Sequence, residues 1–247
     1  RETAGSSTPA RSINCPCAPS GGDEAGPRPP HCDNAAVKRY EQVVSSVART
    51  FGLQVSRASS EGTRLPVEAT PEDAQLISSL RPYTMTSGER LWSLLNAVRY
   101  VVDEQLPGDF AECGVWRGGS VMAIALELKR LGRLDRRLWL YDTFAGMTDP
   151  TERDVEAGSG KTAAQLMATT ELGDGNNVWA HATRGDVEAN LATTGYPTEM
   201  FELVEGDVAV TLRESVPQQI CLLRLDTDWY EATRLGLEVL YPRLVLG

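Results

Sequence analysis

Apolar positions along the chain follow two rhythms, one of three and four residues and one of short continuous runs. Between Ala35 and Leu53, Val37, Tyr40, Val43, Val44 and Val47 recur as one face of a short amphipathic helix would. TPEDAQLISSL (70–80) reads as a helix start, with Thr70 as cap, Pro71 at the first position and acids in the first turn to meet free backbone N–H groups. Ser87 starts a second helix, in which Leu91, Leu94, Leu95, Val98 and Val102 form an apolar stripe that ends before LPGD and is expected to cover one edge of a sheet. Continuous apolar runs then take over. DFAECGV (109–115), RLWLYDTF (137–144), FELVEG (201–206) and QICLLRLD (219–226) read as strands. GGSVMAIALELKRLG (118–132) and YEATRLGLEVLYPRL (230–244) read as amphipathic helices. Short apolar strands separated by helices predict an α/β fold, a parallel sheet covered on both faces.

Composition changes this picture at one end. Residues 1–34 are rich in Pro, Gly, Ser and Ala and nearly free of large apolar side chains, which predicts a disordered tail. The expected organisation is a tail (1–34), a helical N-terminal cap (35–107) and a core (108–247). Twenty-four Lys and Arg against 34 Asp and Glu give a formal charge of −10, which repels phosphate backbones and anionic lipid head groups. Nucleic acid and membrane are therefore not expected partners. No apolar run approaches the roughly 18 residues of a membrane span, and no short apolar secretion core opens the chain, so a cytoplasmic protein is expected. Of the five cysteines, Cys113 and Cys221 lie inside strand-like runs, where a free thiol behaves as a small hydrophobe. Cys15, Cys17, Cys32 and His31 match no regular zinc spacing.

The strand ends carry the chemistry. In AECGVWRGGS a strand closes on Glu112, turns through Gly114 and enters a helix at Gly118 and Gly119, which lets a ligand approach main-chain atoms near a helix N-terminus. The spacing is not GxGxxG, and a tight connection would look the same. Glu112 is placed to accept hydrogen bonds from an ammonium or hydroxyl. Asp142, ending the next strand, can receive ribose hydroxyls or cap a turn. Asp226 and Asp228 after LLRL can divide labour between binding a divalent cation and acting as general base, or can cap the helix beginning near Tyr230. AGSGKT (157–162) resembles a phosphate loop, but its first glycine would fall at Val155 and no strand precedes it. The surrounding segment 147–178 is long enough to form a lid or substrate loop. His181, without a partner pattern, reads as a surface or packing residue rather than a base.

Taken together, PGDFAECGVWRGGS, LWLYDTFAGM and LRLDTDWYEATRLGLEVLYPRL resemble the macrocin O-methyltransferase family, over about Tyr83 to Gly247. The resemblance implies a Rossmann-like methyltransferase fold, S-adenosylmethionine as cofactor, a divalent metal such as Mg²⁺, and a homo-oligomer. It implies that Glu112, Gly114 and the turn Trp116, Arg117, Gly118, Ser120 hold the methionine part, that Asp142 binds the ribose, and that Met85 in YTMTS closes over the cofactor. Asp226 would be a metal ligand and Asp228 the base that deprotonates a sugar hydroxyl, with a 6-deoxyhexose such as rhamnose, free or in a glycosylated natural product, as acceptor.

Two departures qualify the match. The family's GWFxDTL stands here as GDVAVTL, which loosens the expected cofactor contacts at Gly206 and Asp207. The family also runs on past LVLG to an Asp-Asp pair, so the resemblance implies a longer chain whose further residues complete the metal site. A rival reading takes LLRLDTD as the D-x-D metal motif of a glycosyltransferase using a nucleotide sugar. A third is a metal-indifferent, non-catalytic scaffold.

Overall fold

The computed structural model describes residues 65–168 and 180–247. The expected tail, the helix over 35–53, the cysteines at 15, 17 and 32 with His31, and the far part of the 147–178 segment lie outside the described residues. Among the described residues no helix is long and apolar enough to cross a membrane.

The two predicted helix starts are where the caps place them. Helix α1 (Pro71–Leu80) has a capping box, in which the Thr70 hydroxyl accepts from the Asp73 N–H and the Asp73 carboxylate accepts from the Thr70 N–H. Helix α2 (Gly88–Asp103) is capped by the Ser87 hydroxyl, which accepts from the Arg90 N–H. Helix α3 (Gly119–Arg130) starts from Gly118 in the left-handed conformation, without a side-chain cap. Short helices α4 (Ala163–Ala168), α5 (Arg184–Ala192) and α6 (Val208–Thr211) follow, and α7 (Tyr230–Leu240) closes the series.

Strands β1 (Asp109–Cys113), β2 (Leu138–Asp142), β3 (Phe201–Glu205) and β4 (Ile220–Leu225) pair in parallel in the order β3-β2-β1-β4. All four fall inside the predicted apolar runs, each trimmed by one to three residues at its ends. Alternation along the strands feeds two apolar layers. Phe110, Leu138, Leu140 and Cys221 join Ile77, Leu91, Leu95, Val98 and the buried side of α3 in one. Ala111, Cys113, Tyr141 and Ile220 join Val208, Leu212 and Leu240 in the other. Helices α1 and α2 thus share their core with the sheet, and α2 lies against α3 and the edge strand β4, as its apolar stripe predicted.

The three helices of the first layer are also tied by charge. Arg99 on α2 pairs with Asp73 on α1 (2.5 Å) and with Glu127 on α3 (2.7 Å), both carboxylates being buried. Ionised groups in a core persist only when paired in this way.

Candidate active site

From β1 the chain winds to β2 and β3 on one side, then crosses to place β4 on the other. The winding therefore reverses between β1 and β4, and a crevice opens at the carboxyl ends of strands where this happens. A cavity of about 440 Å³ lies there. Glu112, Gly114, Asp142, Asp226 and Asp228 all line it, so three strand ends meet around one space.

Glu112 forms its floor. In the parallel register it stands opposite Arg224, so the two side chains leave the sheet on the same face. Arg224 Nη1 donates to Glu112 Oε1 (2.5 Å), while Nη2 donates to Asp226 Oδ2 (2.8 Å) and to the Thr86 hydroxyl (3.0 Å). Glu112 is 2% exposed, and among the described residues its buried Oε2 has no partner in hydrogen-bond geometry, although Ser120 also bears on this carboxyl. Burial pushes the Glu112 carboxyl up to about 7; Arg224 opposes the rise and Asp226 adds to it.

Asp142 serves the turn that the sequence left as an alternative. Its Oδ2 accepts from the backbone N–H groups of Val115 (2.6 Å) and Trp116 (3.0 Å), and Oδ1 from that of Phe144 (2.9 Å). Trp116 and Phe144 hold left-handed backbone, at φ 47° and 50°. Side chains other than glycine reach that region only when their surroundings impose it. One carboxylate thus fixes both strained residues and ties the β1–α3 turn to the end of β2.

Neither Asp226 nor Asp228 caps α7. Trp229, at the cap position, offers no side-chain bond, and the Tyr230 N–H donates instead to Asp154 Oδ1 (2.7 Å). Asp154 is a buried acid from the 147–162 loop, and its Oδ2 also accepts from the N–H and hydroxyl of Thr151. Trp229 Nε1 donates to the Thr148 carbonyl (2.9 Å), a second tie between loop and helix. The capping alternative is removed, and both aspartates stay open to the cavity. Partial burial, with Asp226 alongside, holds the Asp228 carboxyl above the usual carboxylate range. Gly114 makes the approach possible: a Cβ there would sit 2.4 Å from the Asp226 carbonyl oxygen.

Met85, Trp116, Ser120, Gly206 and Asp207 also line the cavity. Arg117 and Gly118 do not. Arg117 donates outward to the Pro82 carbonyl (2.8 Å) and stacks over Tyr83, while Gly118, at φ 88°, faces Val187 and Leu191 of α5. Asp207 caps α6 through Ala209 N–H (2.8 Å). AGSGKT forms a surface turn closed by the Val155–Thr162 bridge, with no strand before it, and His181 is exposed. Burial pushes the Cys113 thiol up to about 12 and that of Cys221 up to about 11, so neither is a nucleophile. Sequence reasoning missed Arg224, Thr86 and Asp154. A lone arginine inside LLRLD was the available signal, since a charge within a buried strand requires a partner.

The model of the TylF macrocin-O-methyltransferase family matches residues 36–247. The chain belongs to this family. Among curated family relatives, the 8-demethyl-8-(2,3-dimethoxy-alpha-L-rhamnosyl)-tetracenomycin-C 4'-O-methyltransferase of Streptomyces olivaceus is 33% identical over 165 residues, 67% of this chain and 59% of that protein. The demethyldecarbamoylnovobiocin O-methyltransferase of Streptomyces niveus is 32% identical over 165 residues, again 67% and 59%. The matched stretch thus spans under two thirds of these relatives' length. The solved structure of the O-methyltransferase NovP superposes with a TM-score of 0.57 at 30% identity, covering 67% of this chain and 64% of NovP. Both the family and this superposition agree with the α/β methyltransferase sheet expected from the sequence.

Proposed function

We propose that the protein transfers a methyl group from S-adenosylmethionine to a sugar hydroxyl, that of a 6-deoxyhexose such as rhamnose, in the biosynthesis of a glycosylated natural product. The observation that carries this is the meeting of Glu112, Asp142, Asp226 and Asp228 around a single cleft. The names of the relatives, which speak of O-methylation of a rhamnosyl tetracenomycin and of demethyldecarbamoylnovobiocin, support it.

S-Adenosylmethionine would supply a methyl already activated by positive sulfur. Glu112 Oε2, left over by the Arg224 pair, is a buried acceptor that an ammonium group would satisfy, so this oxygen and the cofactor's amino-acid end are complementary. Asp142 has Oδ2 filled by two N–H donors, and Oδ1 takes the Phe144 N–H with only a long 3.5 Å bond from the Thr143 hydroxyl, which one ribose hydroxyl would displace. Asp228, uncapped and held above the usual carboxylate range, takes the proton of the attacking hydroxyl. Orientation of acceptor against methyl does the rest.

A divalent cation is the second part of the proposal. Magnesium takes one or two protein carboxylates and keeps several waters, which suits Asp226 as ligand while Asp228 stays unligated as the base. Among the described residues no group of three or more His, Cys, Asp or Glu side chains is placed for a metal, so Asp226 would hold the ion together with water, substrate oxygen or ligands from outside these residues. Bound there, the ion would make the acceptor hydroxyl easier to deprotonate. Chelation is expected to stop methyl transfer while leaving S-adenosylhomocysteine affinity unchanged; transfer at full rate in chelator would remove the metal from the proposal.

The decisive experiment is calorimetry with S-adenosylhomocysteine and with dTDP in turn. Binding of the first alone supports the methyltransferase reading, and binding of dTDP alone transfers the site to the glycosyltransferase reading. The pH dependence tests Glu112. Its pKa is raised from 4.5 to about 7, so the unfolded chain loses this proton before the folded one does. The group therefore costs the free protein stability as pH rises through that window. An ammonium ligand requires the ionised form, so S-adenosylhomocysteine affinity should fall roughly tenfold between about pH 8 and about pH 6. Glu112→Gln should bind weakly at both ends with no such slope; an unchanged slope in that variant would dismiss Glu112 as the titrating group.

A further inference from the structure

We infer that Arg224 is the positioning residue of this site, a clamp that fastens the segment covering the cleft to the sheet beneath and sets the direction of both acids it touches. The inference rests on the methyltransferase reading for its meaning in catalysis, but the clamp itself is geometric. Arg224 is 16% exposed at its side chain, and it spends one guanidinium on three acceptors from three separated stretches of chain. Thr86 belongs to the covering segment, Glu112 to the end of β1, and Asp226 to the turn after β4.

The covering segment, residues 83–86, is held at its start by Arg117, which bonds the Pro82 carbonyl and stacks over Tyr83. At one end Gly119 admits it: a Cβ at that position would lie 2.5 Å from the Tyr83 carbonyl oxygen and 2.6 Å from Thr84 Cβ. Within the segment, the Thr86 N–H donates to the Thr84 hydroxyl (3.0 Å), and the Thr86 carbonyl accepts from Arg81 (3.2 Å). These are local bonds. The Thr86 hydroxyl is what reaches across to Arg224, so Thr84 and Met85, which line the cleft, are held over it through that bond.

The same guanidinium decides which oxygens are left for ligands. It occupies Glu112 Oε1, so Oε2 is the oxygen left over. It occupies Asp226 Oδ2, so Oδ1 is the oxygen this bond leaves available. A planar fork with five donors can serve three acceptors in fixed directions, whereas a lysine ammonium is a point charge on a flexible stem. Arg224→Lys keeps the charge and is expected to lose the positioning.

The test compares Arg224→Lys, Thr86→Val and the double variant by S-adenosylhomocysteine calorimetry and by amide hydrogen exchange over residues 83–87. Each single variant should weaken the ligand about tenfold, the loss of one hydrogen bond to a charged group. The double variant should be no weaker than Arg224→Lys alone, because both changes break one link. Exchange at 83–87 should quicken in all three, with or without ligand. Independent, multiplying losses, or native exchange and affinity in Arg224→Lys, would overturn the clamp. Should Arg224→Lys fail to fold, Thr86→Val carries the same two readouts, and native values there overturn it. A parent protein that binds no S-adenosylhomocysteine would instead defeat the methyltransferase reading, while the exchange data would still decide the clamp.

Discussion

Asp228→Asn is expected to lower methyl transfer by about a thousandfold while S-adenosylhomocysteine affinity stays within about twofold of the parent. The asparagine amide fills the same space but cannot take a proton. Asp228 forms no cap and belongs to the cavity wall, so the change disturbs neither α7 nor the floor at Glu112. Single-turnover rates with a rhamnoside acceptor read the first effect and calorimetry the second. Turnover near that of the parent would strike Asp228 from the mechanism, and loss of ligand affinity would show instead that it is a binding residue. The raised pKa adds a check in the cation-free protein, where the Asp228 carboxyl followed by NMR should titrate above its ordinary value.

Asp142→Ala is expected to be the most damaging change to the site as a folded object. Three backbone N–H donors lose their acceptor at once, from Val115, Trp116 and Phe144. Two of these residues hold left-handed backbone that the carboxylate imposes. Bonds from N–H groups to an ionised acceptor contribute about 1.5–3 kcal/mol each, less where water can replace them. A loss of about 3 kcal/mol, or about 6–12 °C in melting temperature, follows for a chain of this size. Ligand affinity should vanish with the turn. Asp142→Asn separates the causes, because one amide oxygen can still serve Val115 and Trp116. Differential scanning calorimetry should place it between parent and alanine. A melting temperature for Asp142→Ala equal to the parent's would mean that the turn holds itself.

Much of this was legible in the residues. Thr70 and Ser87 cap where their side chains and the apolar periodicity said they would, because capping and amphipathicity are local properties. The four strands and their parallel pairing followed from short apolar runs spaced by helices. What stayed hidden depends on contacts between distant stretches. Glu112 and Arg224 are 112 positions apart, and only the strand register puts them face to face. Asp142 has a turn function that its place at a strand's carboxyl end, which favours a ribose contact, does not reveal. Arg117 and Gly118 read as cradle residues, and spacing does not reveal that the Arg117 side chain lies over Tyr83 or that Gly118 faces α5. The cap of α7 comes from Asp154, so no inspection of DTDWYE alone settles what Asp226 and Asp228 are free to do.

That borrowed cap has a mechanical implication. Since Asp154 bonds the first amide of α7 and Thr148 receives the Trp229 indole, the 147–162 strip cannot peel away without fraying the helical turn just after Asp228. Under the proposed mechanism, displacing this strip would also loosen the turn that carries Asp228, so opening along this edge and proton uptake would be coupled.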